Sequence, residues 1–408
     1  MKKLLIVSHA LELGGAESSL IGYLHTLAKA EDVETELFLY RHKGELMKYI
    51  PEGIKLLPEK QQYSCLAVPL KNVVKRGRFA IALGRAYGKY KSNRYMKKNG
   101  LIGKKSGVAL EYSHKYTKAF MPEISDTEYD LAISFLTPHY YVVNKVKAKK
   151  KVAYIHTDYA YISVDRESEL KMWSAYDCIA AVSEAVMNSF VKLFPELKEK
   201  TAVIENINST ELIARRAVEF VPKEEMAGNF VKILSVGRFC DAKNFESIPC
   251  KAALLKDKGL DFKWYIIGFG DDKHIRTAIK ETGTENEVVV LGKKANPYPY
   301  IKYCDIYAQP SRYEGKAVTV LEAQIIGKPV IITNYATASS QLKDGYDGII
   351  APMDNDAFCD KLYDLAVNKE KQTSLIRNCK NSDYSNKDEI KKLLQLLQLF
   401  KGGNDNEA

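Results

Sequence analysis

Nowhere in its 408 residues does the sequence contain anything near the roughly 18 consecutive apolar residues that would cross a bilayer as a helix. The start, MKKLLIVSHALELGG, imitates a secretory signal. Its apolar core runs only from Leu4 to Val7 before Ser8 and His9, too short for an h-region, so it reads as a first buried strand. The seven cysteines (Cys65, Cys178, Cys240, Cys250, Cys304, Cys359, Cys379) are odd in number and scattered, without the paired spacings of zinc or redox sites. They read as reduced thiols in a cytoplasm. Internal repeats and low-complexity segments are absent as well. One segment almost lacks acid: from Lys71 to Lys118 ten Lys and four Arg face the single Glu111, a local +13 that leaves the rest of the chain at −3 of the total +10. The basicity therefore belongs to an insertion and not to the fold.

What is present is an ordinary globular composition, 46% hydrophobic and 27% charged, in a chain too long for one typical domain. The runs LLIVSHA, ETELFLY, LAISFL, KVAYIHT and CIAAVS alternate with helical or loop stretches in the first half. FVKILSVGRF, FKWYIIGFG, EVVVLGKK, DIYAQPS, KPVIITN and DGIIAP do so in the second. Short buried strands separated by helices predict an α/β fold of two doubly wound, parallel-sheet, Rossmann-like domains facing a cleft. The expected boundaries are 1–208 for a first domain with the insertion at 71–118, 209–228 for a charged linker, and 229–384 for a second domain. A C-terminal helix is expected at 385–401, where leucines recur at helical spacing, and KGGNDNEA after it reads as frayed.

Parallel sheets bind ligands beyond the carboxyl ends of their strands. There the stretch PSRYEGKAVTVLEAQIIGKPVIITN sets Glu314 in a loop after a strand and Glu322 on the following helix, at most about 12 Å along its axis at 1.5 Å per residue. A helix starting near Ala317 aims free N–H groups at the cleft, which suits a phosphate, and Gly315 lets backbone approach closely. A nucleotide-diphosphate sugar offers hydroxyls at both ends, one for each carboxylate. Arg238 and Lys243, directly after a strand in SVGRFCDAKN, are natural diphosphate ligands that stabilise a leaving group. Gly14 and Gly15 form a loop after the first strand that could approach phosphate or sugar, though a plain tight turn reads equally well. His156 ends an apolar run, where a lone histidine is as readily structural. Each residue has such a bland reading as a surface charge or turn.

Together these residues resemble the retaining GT-B glycosyltransferases of family GT4, the glycosyl transferases group 1. The glycine loop Gly14-Gly15, His156, Arg238 with Lys243, and Glu314 with Glu322 stand in the family's order, and PSRYEG…LEA…GKPVI…DG from Pro310 to Gly348 is the specific part. The resemblance implies that Arg238 and Lys243 hold the diphosphate, Glu322 the ribose, and Glu314 the donor-sugar hydroxyls. It puts His156 near the sugar's C6 side and Gly14-Gly15 against donor phosphate or acceptor. It also implies that the first domain binds the acceptor and the second the nucleotide sugar, with the C-terminal helix packed on the N-terminal domain. The backbone of Lys316, Ala317 and Val318 would cap the β-phosphate; many members have a bulky apolar residue where Lys316 stands. It further implies transfer of a hexose or N-acetylhexosamine, UDP-linked or else GDP-linked, with retention of configuration and no cofactor. The acceptor would be a lipid-linked or cell-surface glycan; a soluble small molecule or protein is the alternative.

Three patterns compete. Asp354-Asn355-Asp356 mimics a metal-binding DxD but begins a helix, where Asp serves as a cap, so no metal is expected. Gly268-Phe269-Gly270 lacks the G-x-G-x-x-G spacing of a dinucleotide site. The insertion mixes cations with Val, Phe, Ile, Leu and Tyr. Each Lys or Arg near an anionic bilayer contributes roughly 1 kcal/mol, so 71–118 reads as a contact with the cytoplasmic face of the membrane, with an anionic polymer such as a teichoic acid, nucleic acid, or a merely solvated face as alternatives. A nucleic-acid-binding protein would leave the Glu314, Glu322, Arg238 and Lys243 set unexplained, so no nucleic-acid partner is expected.

Overall fold

The computed structural model describes residues 1–12, 14–314 and 317–398. It divides into two compact units, Met1–Ser209 with the segment from Asn386, and Thr210–Ser385.

The first unit has seven strands: β1 (Lys2–Ser8), β2 (Val33–Leu39), β3 (Lys55–Leu56), β4 (Glu128–Ser134), β5 (Lys147–Ile155), β6 (Cys178–Ala181) and β7 (Thr201–Val203). All pair in parallel, in the order β3-β2-β1-β4-β5-β6-β7. Both faces are covered, so the strand centres carry apolar runs: Leu4, Leu5, Ile6 and Val7 are each at most 1% exposed. The order reverses at β1, which opens a crevice beyond the carboxyl ends of β1 and β4. Helix α1 (Gly15–Leu27) follows β1. The last helix, Glu389–Gln398, buries Ile390, Leu393 and Leu397 in this unit, and its Glu389 carboxylate accepts the Glu205 N–H at 2.9 Å. Residues 399–408, including the end of that expected helix and the tail, lie outside the described residues.

The basic insertion is helical: α2 (Leu70–Lys75), α3 (Phe79–Lys98) and α4 (Val108–Thr117) lie between β3 and β4. Gly84, Gly88 and Ser92, four residues apart, are the buried face of α3. A Cβ on Gly84 or Gly88 would sit 2.6 Å or 2.7 Å from the carbonyl oxygens of Tyr116 and Tyr112, so small residues let α3 lie against α4. Ile81 is buried too, but four large apolar side chains point the other way: Phe79, Leu83, Tyr87 and Tyr90 are 62%, 70%, 49% and 58% exposed. Glu111, the only acid of the segment, is buried and accepts hydrogen bonds from Tyr140 and Ser168. Arg85 is not an outward charge either, since it donates to the carbonyls of Cys65 (2.6 Å) and Val68 (2.5 Å).

The second unit begins with α5 (Thr210–Arg216), so residues 209–228, expected to be a linker, are partly folded into it. The cause is a few apolar anchors in a charged stretch, Leu212, Ile213 and Met226, all buried. Six parallel strands follow: β8 (Val231–Phe239), β9 (Phe262–Gly270), β10 (Val288–Gly292), β11 (Ile306–Gln309), β12 (Val330–Thr333) and β13 (Ile349–Ala351), in the order β10-β9-β8-β11-β12-β13. Period-two alternation feeds two cores, with Ile233, Trp264 and Ile266 on one face and Leu234, Tyr265 and Ile267 on the other. The reversal falls between β8 and β11. Helices α6 (Tyr298–Tyr303), α7 (Val318–Ile326) and α8 (Asn355–Val367) flank the sheet.

Candidate active site

Lys243 follows β8 and Glu314 follows β11, and the strand reversal between them brings the two together: Lys243 Nζ lies 2.6 Å from Glu314 Oε1. Both are largely shielded, at 16% and 11% exposure, which strengthens the pair relative to one in open solvent. Gly237 makes room for it. A Cβ there would meet the Lys243 stem at 3.1 Å.

The carboxylate is aimed by a buried relay that the sequence reading did not find. Tyr307 donates to Gln309 (2.8 Å), Gln309 Nε2 to Ser311 Oγ (3.0 Å), and Ser311 Oγ to Glu314 Oε1 (2.6 Å). The available signal was period: Tyr307, Gln309 and Ser311 alternate along one strand face. Arg312 ties the Glu314 loop to the turn bearing Lys243 by donating to the Asp241 carbonyl (2.8 Å) and the Glu246 carboxylate (2.5 Å). Arg238, near the end of β8, is exposed, and among the described residues its guanidinium has no hydrogen bond or ion pair.

Helix α7 is capped at Ala317 and closed by Gly327 in the left-handed conformation (φ 76°), as its sequence predicts. The Ala317 N–H is not open to a ligand here, because it donates to Gln341 Oε1 at 2.8 Å. Gly315 and Lys316 lie outside the described residues. Glu322 is an 8% exposed carboxyl that accepts from Tyr298 O–H at 2.7 Å, with the Arg216 guanidinium over the Tyr298 ring. Burial pushes its pKa up to about 7, against the opposing pull of the Tyr298 bond and the Arg216 charge.

That shift has a measurable sign. Between pH 4.5 and about 7 the unfolded carboxyl ionises while the folded one keeps its proton, so the unfolded state binds fewer protons and stability falls as pH rises through the window. Histidines with lowered pKa, His9 and His156, slope the other way. The difference between two proteins isolates the effect: the Tm of Glu322→Gln minus that of wild type should rise by a few degrees from pH 4.5 to 7. A flat difference would show that Glu322 ionises in the folded protein as it does in water.

The family described as "Glycosyl transferases group 1" matches residues 219–382, which include Arg238, Lys243, Glu314 and Glu322. Over these residues the chain is similar to the group 1 glycosyltransferases. A Campylobacter jejuni relative, N-acetylgalactosamine-N,N'-diacetylbacillosaminyl-diphospho-undecaprenol 4-alpha-N-acetylgalactosaminyltransferase, is 29% identical over 182 residues, 44% of this chain and 48% of that protein. The chain thus spans about half the length, or less, of the curated relatives it matches. Two solved structures superpose over nearly the full chain. Anabaena HepE in complex with UDP and glucose gives TM-score 0.60 at 15% identity (98% of this chain, 100% of that one). A TarM variant of S. aureus in complex with fondaparinux, α-GlcNAc-glycerol and UDP gives 0.60 at 15% (97% and 100%). The shared fold is GT-B.

In the second unit Asp354 caps α8 by accepting the Ala357 N–H at 3.0 Å. The remaining expected residues lie in the first unit. His156 follows β5 and packs against Phe135 and Tyr154, at ring distances of 4.8 Å and 5.8 Å, and burial lowers its pKa to about 4, so it is a neutral imidazole whose Nε2 lacks a partner among the described residues. Gly14 caps α1 in extended conformation (φ −165°), and beside Gly15 there is open space. Neither glycine is demanded by backbone strain.

Proposed function

We propose that this protein is a group 1 glycosyltransferase that moves a hexose or N-acetylhexosamine from a UDP-linked donor to a lipid-linked or cell-surface glycan, with retained configuration and without a metal ion, at the cytoplasmic face of the membrane. The observation that carries the reading is the Lys243–Glu314 pair at the β8/β11 reversal, with the uncommitted Arg238 at the end of β8. A diphosphate arriving at two cations competes for the Lys243 ammonium and releases Glu314, still aimed by Ser311, toward sugar hydroxyls. The acceptor hydroxyl oxygen bonds to the anomeric carbon on the face the diphosphate leaves. The bond from that carbon to the β-phosphate oxygen breaks, and the leaving phosphate takes the acceptor proton. Arg238 and Lys243 meet the growing charge. In this reading Glu322, whose pKa burial raises to about 7, bonds a ribose hydroxyl. The bound UDP of HepE and the diphospho-undecaprenol in the Campylobacter relative's name support the donor and acceptor readings.

Thermal stabilisation across a panel of UDP- and GDP-sugars tests the donor, since a ligand at about 100 times its Kd adds about 2.7 kcal/mol to apparent stability. Stabilisation by a UDP-sugar is expected. A panel with no effect overturns the reading.

Among the described residues no helix is long and apolar enough to cross a membrane. The support for a peripheral contact is the outer face of α3, where Phe79, Leu83, Tyr87 and Tyr90 lead into Arg94 and Lys97 on the same side of the helix. The protein should sediment with anionic but not neutral liposomes and come off as salt rises. Arg94, Lys97 and Lys98 changed together to Ser should lower that binding at least tenfold while transfer to a soluble acceptor survives. Equal binding to both vesicle types, or none, would favour an anionic polymer at this face.

A further inference from the structure

Between α4 and the helices Tyr140–Lys145 and Arg166–Ser174 lies a cavity of about 190 Å³ that none of the roles above uses. Val143, Met172 and Ala175 give it apolar surface, and Lys115, Lys118 and Lys171 bring three cations to its wall. Two of the ammonium groups are placed by contacts with other residues of the wall. Lys115 Nζ donates to Ser168 Oγ at 2.5 Å, and Lys118 Nζ stands 5.2 Å from the centre of the Tyr140 ring.

The three cations are not neutralised alike. Lys171 shares an exposed pair with Glu167 at 3.0 Å, and such pairs hold weakly. The charge of Lys115 acts on the buried Glu111 carboxyl, whose Oε1 also takes bonds from Tyr140 and from Ser168 (2.6 Å). The Lys118 ammonium is left over: among the described residues it has a ring face and neither a hydrogen bond nor an ion pair, although the residue is half-buried. A shielded ammonium with its three donors unused favours an anion.

The volume decides how much of a ligand enters. It is well below the roughly 300–1,000 Å³ of small-molecule pockets, enough for one phosphate with its ester carbons and not for a whole molecule. What adjoins the cavity is apolar. Phe120, two residues after Lys118, is half-exposed and sits against Gly84 of α3, where an added Cβ would meet its ring at 3.2 Å, and the neighbouring Leu83 is exposed. Tyr116, whose ring centre is 5.8 Å from Lys115 Nζ, meets Tyr87 of the outer α3 face edge-on at 4.9 Å. A phosphodiester for the cations joined to hydrocarbon for this surface is the chemistry of a phospholipid that carries no headgroup cation of its own.

We propose that this cavity holds the headgroup phosphate of one anionic phospholipid. The inference rests on the peripheral-membrane reading of α3 and goes beyond it: a diffuse attraction needs only surface charge, whereas a pocket takes one lipid at one place.

Methyl NMR of the full chain, labelled at its eight methionines, tests it, with Met172→Leu assigning the signal from the cavity. The probes, each below its micellar concentration, are dihexanoyl phosphatidylglycerol, dihexanoyl phosphatidylcholine and acyl-free glycerophosphoglycerol. The phosphatidylglycerol should shift Met172 saturably and bind at least tenfold tighter than either other probe, since one lacks net charge and the other hydrocarbon. Lys118→Ala combined with Lys171→Ala should weaken it at least tenfold, and unaltered circular dichroism would certify the fold. An unmoved Met172 methyl, equal affinity for either other probe, or full binding by the double variant overturns the proposal. Liposome sedimentation is read separately: anionic vesicles bound while the short-chain lipid leaves Met172 unmoved sinks only this inference, and a saturable Met172 shift without sedimentation sinks only the membrane contact of α3.

Discussion

Glu314→Ala lowers kcat/KM for transfer at least a hundredfold and the melting temperature by no more than a few degrees. The catalytic loss follows if Glu314 holds sugar hydroxyls that must be oriented as the anomeric carbon is attacked, since a misplaced reacting group alone costs about that factor. The small stability change follows from position. Glu314 sits in a loop, and the Lys243 ammonium it leaves behind rides on a flexible stem that can swing into water. Glu314→Gln, which can still accept from Ser311, separates charge from placement. Its turnover should lie between alanine and wild type. Near-normal transfer by Glu314→Ala would remove this residue from the site.

Arg238→Ala and Lys243→Ala each lower kcat by about 10²–10³, the typical effect of deleting one preorganised group that meets developing charge. The two differ in stability. Arg238 has no side-chain partner among the described residues and its loss should leave Tm unchanged, whereas Lys243→Ala strands a shielded carboxylate that the Ser311 relay holds in place. Lys243→Ala should therefore melt lower than Glu314→Ala, because a short, fixed carboxylate cannot escape to solvent as a lysine can. EDTA should leave wild-type turnover unaltered. Loss on chelation, restored by Mn²⁺ or Mg²⁺, would show that an ion, and not these cations alone, carries the leaving-group charge.

The fold was legible because its strands carry runs buried on both faces and therefore apolar: Leu4–Val7 and Ile331–Ile332 announce themselves without reference to neighbours. The edge strand Lys55–Leu56 did not, being two residues long and hence without a period. Local chemistry was legible too, such as the Asp354 cap and the Gly327 stop. The Lys243–Glu314 pair was named residue by residue but not as a pair, because its partners are 71 positions apart and meet only through the strand order. Lys115, Lys118 and Lys171 escaped as a group for the same reason. Each is an ordinary lysine in sequence, and only the packing of α4 beside the helix Arg166–Ser174 brings them to one cavity. In the insertion, net charge was visible from composition, but which cations face outward was not. Arg85 looks like its neighbours and is spent on two carbonyls.

The central claim is that the strand ends of the second unit bind a nucleotide-diphosphate sugar through Lys243 and Glu314. Calorimetric titration of the donor into wild type and Lys243→Ala, both in EDTA, measures it most directly. One-to-one binding by wild type, weakened at least tenfold (about 1.4 kcal/mol) in Lys243→Ala, is the predicted result. Equal affinity of the two proteins, or no binding of any nucleotide sugar by wild type, would contradict it.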